Sequence, residues 1–333
     1  MFSAGETVGN YLIEERLGAG GFGEVFRATE LGLRRPVALK FVRSSLAQDP
    51  VFVERFQREV SAMVAVEHSN VVPIFTHGVE RGLPYFSMRY VRGGSLEAVL
   101  AARQPSLEDV VDLLAGVAEG LDYCHTQGIV HRDLKPANVL VESETGRGLL
   151  ADFGIAHAED FATITGPGKL IGTPAYMAPE TLDGGRATAA SDLWALAAVA
   201  YRVATNTLPR GHGAPADTPV VPPSRRNARL GPEVDRVLLR GLAREPARRH
   251  RDARSFVSDL REALDQPRHR TTSSRLGPRA VLLRRGGAAS PDGGGGWRPQ
   301  RSSSRRSSPT ASHRSPTEPP RTRGATRATR GRV

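Results

Sequence analysis

The apolar positions change period part-way along the chain. From Tyr11 to Val42 they come in short runs, "YLIEERL", "EVFRATE" and "RPVALKFV", separated by a glycine cluster and the turn "LGLRRP". Short runs bounded by turn residues predict three strands. The next segment, "DPVFVERFQREVSAMVAV", sets Phe52, Phe56, Val60, Met63 and Val64 at helical spacing. Shorter apolar runs at 71–76 and 85–91 would complete a small antiparallel sheet. After "RGGSLEAVL" the period is helical. Ser106 with Asp109 makes a capping-box start, Val110, Val111, Leu114, Val117, Ala118 and Leu121 carry the stripe, and Gly128 is a plausible stop. Helical patterning then runs, broken by polar loops, to a last helix "DARSFVSDLREAL". No internal repeat is present. The expected fold is α+β and bilobal: an antiparallel-sheet lobe with one main helix at 8–88, then a larger helical lobe at 92–264.

Composition changes this picture at one end. Residues 265–333 are rich in Pro, Gly, Ser, Thr and Arg, with Trp297 the one aromatic residue. Such a segment buries too little apolar surface to offset chain entropy, so it is expected to be disordered. It also carries the charge. The chain's net charge is +11, but residues 267–333 hold 16 arginines, no lysine and two acids, Asp292 and Glu318, which is +14. The remaining residues therefore sum to −3, and the body is mildly acidic. Solvated disorder is the first reading of the tail, and a partner-docking or phosphoacceptor region is the second. Binding of nucleic acid or another anionic surface comes last, because aromatic residues for base stacking are nearly absent.

A single cysteine, Cys124, excludes an intrachain disulfide framework and a Cys-rich zinc site. No apolar run approaches the roughly 20 residues of a membrane span. The N-terminus lacks a basic-then-apolar signal pattern. The expectation is a cytoplasmic protein.

Candidate chemistry lies in the loops. The stretch Leu17, Gly18, Ala19, Gly20, Gly21, Phe22, Gly23, Glu24, Val25 has a G-x-G-x-x-G-x-V frame. Glycines let backbone amides approach phosphate oxygens, although a plain Gly-rich hairpin gives the same pattern. A dinucleotide fingerprint would need a helix directly afterwards, and "EVFRATE" reads as a strand. Lys40 sits inside the apolar run Val37 to Val42, where an ammonium needs a partner or the surface. Glu59 on the following helix is the candidate partner. "HRDLKPANVL" then gathers Asp133, Lys135 and Asn138, and "ADFG" places Asp152 nineteen positions after Asp133. Phosphoryl transfer needs metal ligands, a group that orients the attacking hydroxyl and a cation for the moving phosphate. Asn138 with Asp152, Asp133, and Lys135 are the residue types for those three tasks.

Together these motifs resemble the eukaryotic-like serine/threonine protein kinases of bacteria. "GAGGFGEV", "VALK", "HRDLKPAN", "DFG" and "GTPAYMAPE" occur in that family's order over Val8 to Leu264. The resemblance implies ATP and Mg²⁺ in a cleft between two lobes. Val25, Ala38 and Leu140 would sandwich the adenine. Met88 would be the gatekeeper, followed by a hinge from Arg89 to Val91. Met63, Phe153 and His131 would form a packed column between the lobes. Glu180 would pair with Arg249, and Asp192 would brace the catalytic loop. Lys135 with Thr173 is similar to the Ser/Thr-specific pattern, which implies protein substrates with Ser or Thr acceptors. Phosphate on Thr163 or Thr165 would pair with Arg132 and order the loop between Asp152 and Glu180. A kinase-domain dimer stays open.

Two departures stand out. Arg89 stands where many relatives carry an acid, and little effect is expected, since the hinge reads adenine through backbone groups. After Leu208 and Pro209 the text is short and Gly/Pro-rich, so a helix that relatives have there is expected to be reduced or missing. The competing class is a nucleotide-binding, pseudokinase-like scaffold. The complete set Lys40, Glu59, Asp133, Asn138 and Asp152 argues against it, because scaffolds commonly lose one or more.

Overall fold

The structure is a computed structural model, and it describes residues 2–20, 23–154, 174–211, 215 and 217–266. The basic tail therefore lies outside the described residues, as do the expectations attached to it.

The first lobe is a six-stranded antiparallel sheet. Its strands are β1 (Thr7–Val8), β2 (Tyr11–Gly20), β3 (Gly23–Glu30), β4 (Arg35–Val42), β5 (Ile74–Glu80) and β6 (Leu83–Arg89), in the order β1-β2-β3-β4-β6-β5. The side-chain period of two sorts β4 onto two faces. Val37, Leu39 and Phe41 pack outward with Phe2, Tyr11, Ile13 and Phe26 in a small core of their own. Ala38 and Val42 join the large core that continues into the second lobe. Lys40 shares their parity, so alternation alone turns it toward the cleft.

Two helices follow β4: the short α1 (Ser44–Ala47), which the sequence pattern does not predict, and α2 (Pro50–Val64). Asp49 caps α2 by accepting from the Val51 amide, Pro50 takes the first helical position, and Phe52, Phe56, Val60 and Met63 are its buried face. The strand expected at 71–76 is displaced. Val71 makes one isolated bridge, to Leu150, and β5 begins at Ile74. It pairs with β6 through a tight turn in which Arg81 (φ 49°) and Gly82 (φ 75°) are both left-handed. Such a turn matches the twist of a hairpin, and the arginine hides it in sequence.

The second lobe begins with β7 (Gly93–Ser95), α3 (Leu96–Ala102) and α4 (Leu107–Thr126). The Ser106–Asp109 capping box forms as expected. At the far end Gly128 (φ 74°) donates to the His125 carbonyl and Ile129 donates to that of Cys124, which closes the helix. Gly116 and Gly120 sit inside α4 because the 70–72 segment crosses it closely. A Cβ at Gly116 would lie 2.3 Å from Asn70 Nδ2, and one at Gly120 would lie 3.0 Å from the Asn70 carbonyl.

β8 (Val139–Glu142) and β9 (Gly148–Leu150) complete a three-stranded sheet with β7. Beyond them lie α5 (Pro179–Leu182), α6 (Ala189–Thr205), α7 (Pro232–Gly241) and α8 (Ala253–Asp265). Helix α6 is buried nearly all round, from Ser191 to Ala204. Asp122 of α4 accepts from the amides of Ala253 and Arg254, so α4 caps α8 across the core. Among the described residues between Asn206 and Pro222 there is no helix, as the Gly/Pro-rich text suggests. No helix of the described residues is long and apolar enough to cross a membrane.

Candidate active site

The polar loop from His131 to Asn138 is held by its backbone. Buried Asp192, on the first turn of α6, accepts from the amides of His131 (2.7 Å) and Arg132 (2.9 Å) and meets His125 Nε2 at 2.8 Å. These contacts fix Arg132 at φ 68°, a left-handed conformation that costs a non-glycine residue roughly 1–3 kcal/mol. His131 is fully buried, and burial holds its imidazole below the usual histidine range. It is neutral, with Nε2 donating to the Ala151 carbonyl at 3.1 Å, so Nδ1 is left to accept from the Asp133 amide at 3.3 Å. Its ring packs on Phe153 at 4.5 Å, and its carbonyl accepts from the Gly154 amide at 2.7 Å.

On that frame Asp133 Oδ2 accepts from Lys135 Nζ (2.6 Å) and Asn138 Nδ2 (2.9 Å). Asn138 Nδ2 also reaches the Asp133 carbonyl, and the side-chain oxygen of Asn138 takes no hydrogen bond among the described residues. The Asn138 carbonyl accepts from the Ala151 amide, so the loop is tied to the strand that delivers Asp152. Asp152 is the second left-handed residue here, at φ 53°. Lys40 Nζ lies 2.9 Å from Asp152 Oδ1, an ion pair that is not aligned as a hydrogen bond.

A cavity of about 360 Å³ opens between the lobes, lined among others by Gly18, Gly20, Val25, Lys40, Asp133, Lys135, Asn138 and Asp152. Two kinds of glycine border it. A Cβ on Gly23 would fall 1.8 Å from the Phe41 carbonyl, so glycine there is required by the sheet itself. A Cβ on Gly18 or Gly20 would meet no atom of the described residues within 4 Å. No contact among the described residues demands those two glycines, which suits a backbone kept bare for a ligand.

Glu59 is not beside Lys40. Its Oε1 accepts from Arg132 Nη1 at 2.9 Å, while Lys40 takes Asp152 instead. The expected Lys40–Glu59 contact is thus absent from this conformation. A strand lysine can be satisfied by any acid that the cleft offers, and Asp152 stands closer.

A model of the protein kinase domain matches residues 11–272 of the chain. The chain belongs to the protein kinase family. The serine/threonine-protein kinase PknJ of Mycobacterium tuberculosis is 37% identical over 274 residues, covering 79% of this chain and 46% of PknJ. Serine/threonine-protein kinase pkn3 of Myxococcus xanthus is 36% identical over 289 residues, 81% of this chain and 53% of pkn3. The chain thus spans about half the length of these curated relatives. The crystal structure of the Mycobacterium tuberculosis PknI kinase domain superposes with a TM-score of 0.66 at 31% identity, over 79% of this chain and 100% of that domain.

Kinases of this family use ATP and Mg²⁺ in general, and the donor set here fits both. Asn138 and Asp152 offer hard oxygens, one of them the Asp152 Oδ1 that lacks a hydrogen bond. No cluster of three or more metal-ligating side chains is present among the described residues. Two oxygen ligands are what Mg²⁺ takes when phosphates and water complete its shell.

Other kinase assignments distribute unevenly. Arg249 grips Glu180 through two hydrogen bonds of 2.7 and 2.6 Å, as expected. Met63 is buried in the same core as Phe153. Ala38, Met88 and Val91 are buried and Leu140 is partly buried, but none of them lines the cavity. Leu17 is exposed, and Glu24 pairs with Arg16 at the surface. Gly21, Phe22, Thr163, Thr165 and Thr173 lie outside the described residues.

Sequence reasoning missed Phe56 and Phe86, which also line the cavity. The signal was available for Phe86, two residues before Met88 on one strand face. It also missed Arg210, which donates to the Met177 carbonyl at 2.7 Å and stacks over Trp194 at 4.6 Å, bracing the "PAYMAPE" loop.

Proposed function

We propose that this chain is a Mg²⁺- and ATP-dependent kinase that transfers the γ-phosphoryl group to serine or threonine hydroxyls of proteins. The observation that carries the reading is the convergence of Asp133, Lys135, Asn138, Asp152 and Lys40 on one cavity beside two glycines that no contact among the described residues requires. Asp133 orients the acceptor hydroxyl and takes its proton as the oxygen bonds to the γ-phosphorus. The bond from that phosphorus to the β–γ bridging oxygen breaks, and ADP leaves. Lys135, held 2.6 Å from Asp133, is placed to steady the transferring phosphoryl oxygens. Lys40 serves the phosphates of the bound nucleotide. Mg²⁺, when bound at Asn138 and Asp152, neutralises phosphate charge. The cytoplasm, where ATP is available, is the compartment that this chemistry requires.

The pairing of Glu59 with Arg132 rather than with Lys40 supports regulation through the loop after Asp152. Arg132 is occupied by Glu59 here. A phosphate on Thr163 or Thr165 would compete for Arg132 and release Glu59 toward Lys40. One experiment addresses both readings: the full chain is incubated with γ-labelled ATP, Mg²⁺ and a generic Ser/Thr-rich protein, with Lys40→Met and Asp133→Asn in parallel. Label in phosphoserine or phosphothreonine of the wild type is expected to fall about 10²–10⁴-fold in Asp133→Asn. Equal label in all three proteins overturns the kinase reading. Phosphate mapped to Thr163 or Thr165 in Asp133→Asn expressed alone, undiminished from wild type, overturns autophosphorylation as its source.

A further inference from the structure

The segment that joins the lobes is fastened to the second lobe by a charge cluster of its own. Arg89 ends β6 and opens this segment, and its guanidinium pairs with Glu142, the last residue of β8. The Glu142 side chain is only 7% exposed, and it is shared. Thr145 donates to Oε2 at 2.6 Å and Arg147 Nη2 does so at 3.1 Å. The Thr145 hydroxyl, with Arg147 and Arg89, holds the Glu142 carboxyl below the usual carboxylate range against the opposing effect of burial.

The backbone repeats the connection. The Ser143 amide and hydroxyl both donate to the Arg92 carbonyl, at 2.8 and 3.0 Å. Gly93 pairs with Glu142 across β7 and β8, and a Cβ at Gly93 would strike the Val141 carbonyl at 2.0 Å. The 89–95 segment therefore lies tight against the β8–β9 turn. Glu142 also shares a strand face with Leu140, two residues earlier, the residue expected beneath adenine.

We propose that Arg89 and Glu142 are positioning residues which clamp the interlobe segment over the nucleotide floor, so that ATP affinity depends on their pairing. Neither touches a reacting atom. The proposed role departs from the expectation that an arginine at 89 has little effect. Removing Glu142 does more than remove one partner, because it leaves two guanidinium groups facing each other. This proposal rests on the kinase reading for its nucleotide, but not for the clamp.

The test uses the full chain with Arg89→Glu, Glu142→Arg and the exchanged double variant Arg89→Glu/Glu142→Arg. Hydrogen exchange of the amides from Tyr90 to Gly94 is measured without nucleotide, beside KM for ATP and kcat. Each single variant is expected to speed exchange and raise KM for ATP about tenfold with kcat little changed, and the double variant should recover part of both, because the exchanged pair re-forms while Arg147 and Thr145 lose their acceptor. Arg89→Met, which removes the pair without like-charge repulsion, replaces Arg89→Glu if the latter fails to fold. Unchanged exchange in the single variants overturns the clamp. Faster exchange with an unchanged KM overturns its role in nucleotide positioning. A wild type that transfers no phosphate sinks the kinase reading, and the exchange data still decide the clamp.

Discussion

The two walls of the cleft are held by different means. On the second-lobe wall, Asp133, Lys135 and Asn138 sit on a loop whose amides are pinned by a carboxylate 2% exposed, Asp192, and whose histidine is buried and neutral. On the first-lobe wall, Lys40 and Glu59 are held by side-chain ion pairs that are partly open to solvent, and each has a partner other than the expected one. Backbone hydrogen bonds to a buried acceptor are costly to break. Ion pairs between side chains that solvent still reaches are worth less and re-form more easily. The loop from His131 to Asn138 is thus held independently of the acid that Lys40 faces, and the first-lobe wall is the half whose pairs re-form easily.

The largest expected effect comes from attacking the frame. Asp192→Asn keeps the shape but turns an amide NH₂ toward one of two backbone donors. It should lower unfolding free energy by about 2–3 kcal/mol, since one buried N–H loses its acceptor. Urea unfolding measures this, and a change under about 0.5 kcal/mol would erase the difference between the walls.

Next comes acid. His250 is buried, lies 3.4 Å from Asp259 with Arg240 nearby, and is pushed down to about 4 by burial. Between that value and the ordinary one near 6.5, the unfolded chain binds a proton that the folded chain refuses. This part of the stability is full above about pH 6.5 and lost as pH falls, about 2 kcal/mol of it by about pH 5. His131, also lowered by burial, acts in the same direction. His250→Leu should shrink the gap in urea stability between about pH 7.5 and pH 5 by that amount. A gap unchanged by the substitution would remove His250 from the account.

The smallest effect belongs to the first-lobe wall. Glu59→Gln breaks a pair whose side chains are 22% and 32% exposed, and should shift stability by less than about 1 kcal/mol. A loss near that of Asp192→Asn would mean that the two walls are built alike after all.

Much of this was legible in the sequence, for reasons that differ by residue. The β4 alternation turned Lys40 into the cleft, and the capping box at Ser106 and the stop at Gly128 set the ends of α4. Glu180 and Arg249 could be matched through the family motifs alone. The β5–β6 turn was not legible, because Arg81 adopts a conformation usually left to glycine or asparagine. Nor was Arg89, whose partner lies 53 positions away on another strand.

The sequence by itself determined which chemistry the chain holds: the order of the glycines, Lys40, Asp133, Asn138 and Asp152, and the period of each element that carries them. These are local properties, written in spacing and in side-chain type. Only the tertiary structure decided who pairs with whom. A charge in a cleft chooses among all the opposite charges that the fold brings within a few ångströms. That choice gave Lys40 to Asp152, Glu59 to Arg132 and Arg89 to Glu142.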